Sequence, residues 1–200
     1  MRNITSFVFG PDHGGRTKTE CAASIWAVLV TFLATRHVFW RDEVRAFSVA
    51  LQGENLLEML RRLHGEGHPA VWYLLLRGAH ELVQSPLVLP AVSLLVAFGA
   101  AALLALRSPF AWSFVALLLL GRLFLYEYSV SARNYGISLL LMFAFAALYA
   151  RYRDRGVVLG VLLFLLANCN MHSVLLAGAL MLFWLIDLAG DKAARRAGGC

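Results

Sequence analysis

Six long apolar runs decide most of what this chain can fold into. They cover roughly Cys21 to Trp40, Leu87 to Leu106, Phe110 to Tyr126, Tyr135 to Ala150, Val157 to Met171 and Ser173 to Leu188. A helix that crosses a bilayer needs about 20 apolar residues, because each residue adds 1.5 Å to a path of about 30 Å through hydrocarbon. The first two runs reach that length and the last four fall short of it. Local thinning of the bilayer accommodates a short span, and so does a helix end that opens into a wet cavity inside the protein. Composition points the same way. The 200 residues are 60% hydrophobic and 15% charged, where a soluble domain is about half apolar and a quarter charged. The expected fold is an all-α polytopic membrane protein with about six transmembrane helices.

Charge then sets the orientation. A net charge of +6 in a soluble protein would suggest a nucleic-acid partner. In a membrane protein Lys and Arg collect in cytoplasmic segments instead, so no nucleic-acid partner is expected. With residues 1–20 as a cytoplasmic tail, Arg2, Arg16 and Lys18 lie on the same side as Arg107, as the cluster Arg151, Arg153 and Arg155, and as Lys192, Arg195 and Arg196 of a basic tail over 189–200. Ten of the eighteen basic residues then face the cytoplasm. The polar, Gly-rich start lacks a compact signal peptide with a small-residue cleavage site, so the first run reads as an uncleaved anchor. The transmembrane module is 21–188, in the inner (plasma) membrane, with both termini cytoplasmic.

This topology requires 41–85 to begin and end outside. Val44, Phe47, Leu51, Leu56, Leu57, Leu60 and Leu63 recur at helical spacing, with Arg45, Glu54, Glu58, Arg61 and Arg62 off the stripe and Gly53 interrupting it. A helix of this kind lies in the interface. A second juxtamembrane helix opens at Pro69, a good first helical residue, and carries Arg77, His80 and Glu81. The rival reading, a true span from Pro69 to Val83, would turn the RYRDR cluster outward, against the charge rule.

The outer ends hold a distinctive set of side chains: Asp42 and Glu43; His64, Glu66 and His68 in HGEGHP; Arg122, Glu127, Tyr128, Ser131, Arg133, Asn134 and Tyr135; and Asn168, Asn170 and His172. Each has a plainer use. Asp42 and Glu43 can cap the interfacial helix. HGEGHP can be a turn. Arg133 can snorkel to headgroups. Asn168, Asn170 and His172 can join helices, Arg122 and Glu127 can pair, and Trp72, Tyr73 and Tyr126 can belong to the aromatic belt. Their gathering on one side favours function, since ionisable groups at membrane depth are costly. Cys21, Cys169 and Cys200 show no disulfide or metal spacing.

The order of these motifs resembles the C-type integral-membrane glycosyltransferases, in the branch of the protein mannosyltransferases and the aminoarabinose lipid A transferases. The matching stretches are RDE (Arg41 to Glu43), EGHPAVWYLLL (Glu66 to Leu76), YSVSARNYG (Tyr128 to Gly136) and NCNMH (Asn168 to His172), within Ile25 to Leu188. The chain departs from the family's pattern at Ser131, often Glu, at Asn134, often Pro, and at Ala70, Pro in the mannosyltransferases. The resemblance therefore leaves the donor sugar and the acceptor open. It implies an inverting enzyme that takes sugar from a polyprenyl-phosphate donor on the extracytoplasmic face, among membrane lipids. On that basis Asp42 is the general base, and Glu43 orients acceptor or metal. Arg133 binds the donor phosphate through bidentate, charge-assisted bonds. Tyr135, His68, Glu66 and His172 line the same cavity. The sequence holds no dedicated metal motif and assigns no cofactor, although the family allows a divalent ion on Asp42, Glu43 or His68. Family members are usually longer, so the chain reads as a truncated product or as one part of a split enzyme with a partner subunit. The alternative function is a non-catalytic lipid-binding subunit. A small transporter or flippase ranks last, because neither an inverted repeat nor matching broken helices are evident.

Overall fold

A computed structural model describes residues 15–64 and 69–197. Among these residues all regular structure is helical: α1 (Gly15–Arg36), α2 (Arg41–Ala50), α3 (Leu56–Arg62), α4 (Val71–Leu82), α5 (Val88–Arg107), α6 (Trp112–Leu120), a π-helical turn (Leu123–Glu127), α7 (Tyr135–Tyr152), α8 (Gly156–Ala167) and α9 (Met171–Ala197). Four of them, α1, α5, α7 and α9, are long and apolar enough to cross a membrane.

The runs at Phe110 to Tyr126 and Val157 to Met171 form shorter helices than a span needs. The first breaks at Gly121 after nine residues of α6, and continues as the π turn, where Tyr128 N–H donates to the Leu123 carbonyl at 2.9 Å. The second ends after the twelve residues of α8. The last helix does not stop at Leu188 but runs to Ala197, and the first begins at Gly15, inside the expected tail.

The exposed faces of the long helices are apolar, the signature of a lipid-facing surface. On α1 the buried residues Thr19, Ala22, Trp26 and Val30 recur every three or four positions. The opposite side carries exposed Ile25, Val28, Leu29 and Phe32. α5 is the central helix. Its small residues Ala97, Ala100 and Ala101 are buried and let neighbouring helices approach closely. A core around Trp26, Leu104, Leu119 and Phe124 joins α1, α5, α6 and the π turn, and a second around Phe145, Leu159, Leu166 and Ala177 joins α7, α8 and α9.

The segment 41–85 packs on a third core, around Met59, Trp72, Tyr73 and Leu76. Trp72 and Tyr73 are thus core residues of α4 rather than members of an aromatic belt. The expected interfacial stripe is broken where the sequence places Gly53, whose φ of 78° suits glycine. Arg77, buried on α4, donates to the carbonyls of Gln52 (2.9 Å) and Gly53 (3.3 Å) and so pins that corner. At twelve residues, with this arginine inside, α4 is shorter than a bilayer span requires. Val44, Leu51, Leu56, Leu57 and Leu60 stay exposed.

Long-range contacts sort the helix ends into two sets. His37 with Tyr126, Asp42 with Arg133, Ser93 with Ser129, and Val71 with Asn168 collect at one end. Lys18 with Trp112, and Arg153 with Asp187 and Asp191, collect at the other. The chain therefore passes alternately between the two ends along α1, α5, α6 with the π turn, α7, α8 and α9.

Candidate functional site

The site begins at the first turn of α2. Neighbouring residues on a helix point about 100° apart, so Asp42 and Glu43 cannot face the same way. Asp42 faces outward, with its side chain 58% exposed, and its Oδ2 lies 3.4 Å from Nη2 of Arg133. Glu43 faces inward and is fully buried. Its carboxylate accepts from three directions: the Trp40 N–H at 2.6 Å, the Ala132 N–H at 2.5 Å, and His37 Nε2 at 2.8 Å. The bond from Trp40, the N-cap residue, is half of a capping box, with Glu43 at the third helical position. The capping reading of the acidic pair thus holds for Glu43. Expected to orient acceptor or metal, Glu43 has its oxygens turned into the protein instead.

His37 is held at both ring nitrogens, Nε2 on Glu43 and Nδ1 at 2.9 Å from the Tyr126 hydroxyl. With a carboxylate on one side, Nε2–H donates, and in the neutral tautomer the Tyr126 O–H donates to Nδ1. Neither residue stood out in the sequence. His37 follows Arg36 at the end of an apolar run, and Tyr126 reads as a belt aromatic. A histidine three residues before a cap, among aromatics, is the only trace of the network, and it names no partner.

Arg133 sits in the turn between the π turn and α7. Ser129, Ser131 and Asn134 of this turn are buried, and each is hydrogen-bonded or carries a bonded carbonyl. Ser93 Oγ donates to the Ser129 carbonyl at 2.9 Å, Ser129 Oγ donates to the Phe124 carbonyl, and Asn134 Nδ2 donates to the Cys169 carbonyl at 3.1 Å. The guanidinium of Arg133 lies 5.1 Å from the centre of the Tyr135 ring, within the range of a cation–π contact. Tyr135 in turn faces Tyr128, ring centres 6.3 Å apart.

Two adjoining clefts start from these tyrosines. One, of about 580 Å³, is lined by Arg122, Leu123, Glu127, Tyr128, Tyr135 and His172. The other, of about 240 Å³, runs between α7 and α9 past Ser138, Asn170 and Ser173. Arg122 and Glu127 do pair, at 3.4 Å. Asn170 does join helices, donating to Ser138 Oγ of α7 at 2.8 Å. His172 is exposed on the cleft wall.

The fold thus brings together Asp42, Arg133 and Tyr135, with His172 across the cleft from Tyr135. Glu66 and His68 lie outside the described residues. Among the described residues no three His, Cys, Asp or Glu side chains are grouped as metal ligands. Glu43 is saturated by its three donors, and the Asp42 carboxylate faces a guanidinium that would repel a cation. The described residues therefore do not fit a divalent ion at this acidic pair.

Chemically, the described residues offer one solvated carboxylate, one guanidinium paired among them with that carboxylate alone, and, from Tyr135 onward, an aromatic cleft. Compared with protein-family models, with curated proteins and with solved structures, the chain matches none.

Proposed function

We propose that this chain is a membrane glycosyltransferase that moves a sugar from a polyprenyl-phosphate donor to an acceptor hydroxyl. The 3.4 Å approach of Asp42 to Arg133, from opposite parts of the chain, carries the reading. An exposed ion pair contributes at most about 1 kcal/mol to stability, so holding it in place is poorly explained by folding alone. A buried scaffold of Glu43, His37 and a hydrogen-bonded turn lies directly beneath it.

In the reaction, the donor phosphate takes the Arg133 guanidinium, which releases Asp42. The acceptor oxygen then attacks the anomeric carbon while Asp42 accepts its proton. The bond from the anomeric carbon to the phosphate oxygen breaks, and the polyprenyl phosphate leaves with that electron pair, stabilised by Arg133. One displacement inverts the anomeric centre. Tyr128, Tyr135 and His172 line the cleft that receives the donor, and the gap between α7 and α9 gives its lipid tail a sideways approach. The charge distribution supports an extracytoplasmic site in the inner membrane, with Arg107 and the 151–155 arginines cytoplasmic.

The test is sugar transfer by the purified chain in liposomes that contain a polyprenyl-phosphate sugar. Asp42→Asn should lower the rate by about 10²–10⁴, the usual worth of a general base, and Arg133→Ala should abolish donor use. Unchanged transfer in Asp42→Asn would discard the base assignment. Binding of polyprenyl phosphate with no transfer by the unmodified chain would favour a non-catalytic lipid-binding subunit. For orientation, a single cysteine at 154 should react with an impermeant maleimide only from the cytosolic side, and one at 42 only from the outside.

A further inference from the structure

Two adjacent pairs of residues meet at the site. Asp42 and Glu43 are neighbours on α2, and Ala132 and Arg133 are neighbours in the turn before α7. The outer members of each pair, Asp42 and Arg133, face each other in the open at 3.4 Å. The inner members, Glu43 and Ala132, are joined in the interior by the Ala132 N–H to Glu43 Oε1 bond of 2.5 Å. Capping α2 requires only the bond from the Trp40 N–H. It requires neither the Ala132 bond nor full burial of the carboxylate, since exposed acidic residues cap helices well. Burying a carboxylate is costly unless its partners are well placed. Here His37 supplies the remaining donor and is itself fixed by Tyr126.

We infer that Glu43 is a positioning residue: by gripping the Ala132 N–H it fixes the distance between Asp42 and Arg133, and His37 with Tyr126 fixes Glu43. The inference rests on reading Asp42 and Arg133 as the reacting pair. Glu43→Gln is the informative change, because it keeps the size of the side chain. Its amide nitrogen would confront one of three donors with another donor, so at least one of these bonds must break.

The experiment measures proximity and binding separately. With Cys21, Cys169 and Cys200 changed to Ser, cysteines are placed at 42 and 133 and joined by a short bismaleimide. This removes the ion pair, so the yield reports backbone placement alone. A control pair at 149 and 187 reports the opposite end, where Tyr149 Oη lies 2.7 Å from Asp187. Glu43→Gln should lower the 42–133 crosslinking rate about tenfold, the fold-change for one lost charge-assisted hydrogen bond, and leave the 149–187 rate unchanged. His37→Gln should lower it by a smaller factor in the same direction. If Glu43→Gln fails to accumulate in the membrane, His37→Gln decides alone. An unchanged 42–133 rate in the variant that decides would overturn the inference. So would loss of polyprenyl-phosphate binding at an unchanged crosslinking rate, since that would put Glu43 on the ligand. If the unmodified chain binds no polyprenyl phosphate, the reading of the site fails, and the crosslinking rates still settle the role of Glu43.

Discussion

Arg133 and Arg153 flank the two ends of α7, and each meets carboxylates from another helix. Around Arg153 the partners are many. Asp187 approaches to 3.3 Å, Asp191 is bonded to Nη2, and Asp154 lies at 3.9 Å. Tyr149 donates to Asp187, and the Arg153 carbonyl accepts from Trp184 Nε1 at 2.7 Å. Among the described residues Arg133 has Asp42 at 3.4 Å and the face of Tyr135, a ring that lines an open cleft. A guanidinium carries five donors. Where several carboxylates occupy them, the arginine clamps helices together. Where one half-exposed aspartate does, capacity remains for an incoming phosphate. Residue type alone does not separate a structural arginine from a binding one; the number of its carboxylate partners does.

The largest effect expected from this contrast is on catalysis. Asp42→Asn should cost about 10²–10⁴ in transfer rate, whereas Asp187→Asn should lower the melting temperature without changing the rate per folded molecule. The next is on stability. Glu43→Ala would leave three inward-pointing donors without an acceptor and should destabilise by about 3–5 kcal/mol, as removal of one partner of a buried charged group does. Thermal unfolding in detergent checks this. The pair above it should behave oppositely, with Asp42→Asn costing less than about 1 kcal/mol.

Gly136→Ala sharpens the comparison on the Arg133 side. An added Cβ would lie 2.6 Å from the Tyr128 carbonyl oxygen, so the turn that presents Arg133 must open. We expect a loss of about 1–3 kcal/mol, typical of overpacking, together with reduced transfer. Tyr149→Phe removes one bond of the Arg153 cluster and should cost about 0.5–1.5 kcal/mol, with transfer intact. It is the cleanest check that the two ends are independent.

The sequence carried the broad plan because hydropathy and charge act over whole segments. The apolar runs of α5 and α7 and the break at Gly53 could be read directly. So could the placing of Asp42 and Arg133 at one end, since alternating passes bring the ends of successive helices together; their pairing at 3.4 Å shows only in the folded chain. Other features depend on single contacts that no periodicity encodes. The switch to a π turn after Gly121 shortened one expected span, and an apolar run looks the same in either backbone. Trp72 and Tyr73 looked like belt aromatics because burial under α2 and α3 is a tertiary fact. Arg153 read as one of three simple cytoplasmic charges, while Asp187 and Asp191 lie a helix later. His37 and Tyr126 needed each other to be noticed, and they come together only in the folded chain.

Binding of fluorescent polyprenyl phosphate to the purified chain in nanodiscs addresses the contrast between the two arginines most directly. Loss of the charge-assisted bonds in Arg133→Ala should weaken binding about ten- to a hundredfold, while Arg153→Ala, measured on the folded fraction, should bind as the unmodified chain does. Equal affinity in Arg133→Ala and the unmodified chain would contradict the assignment of Arg133 as the phosphate site.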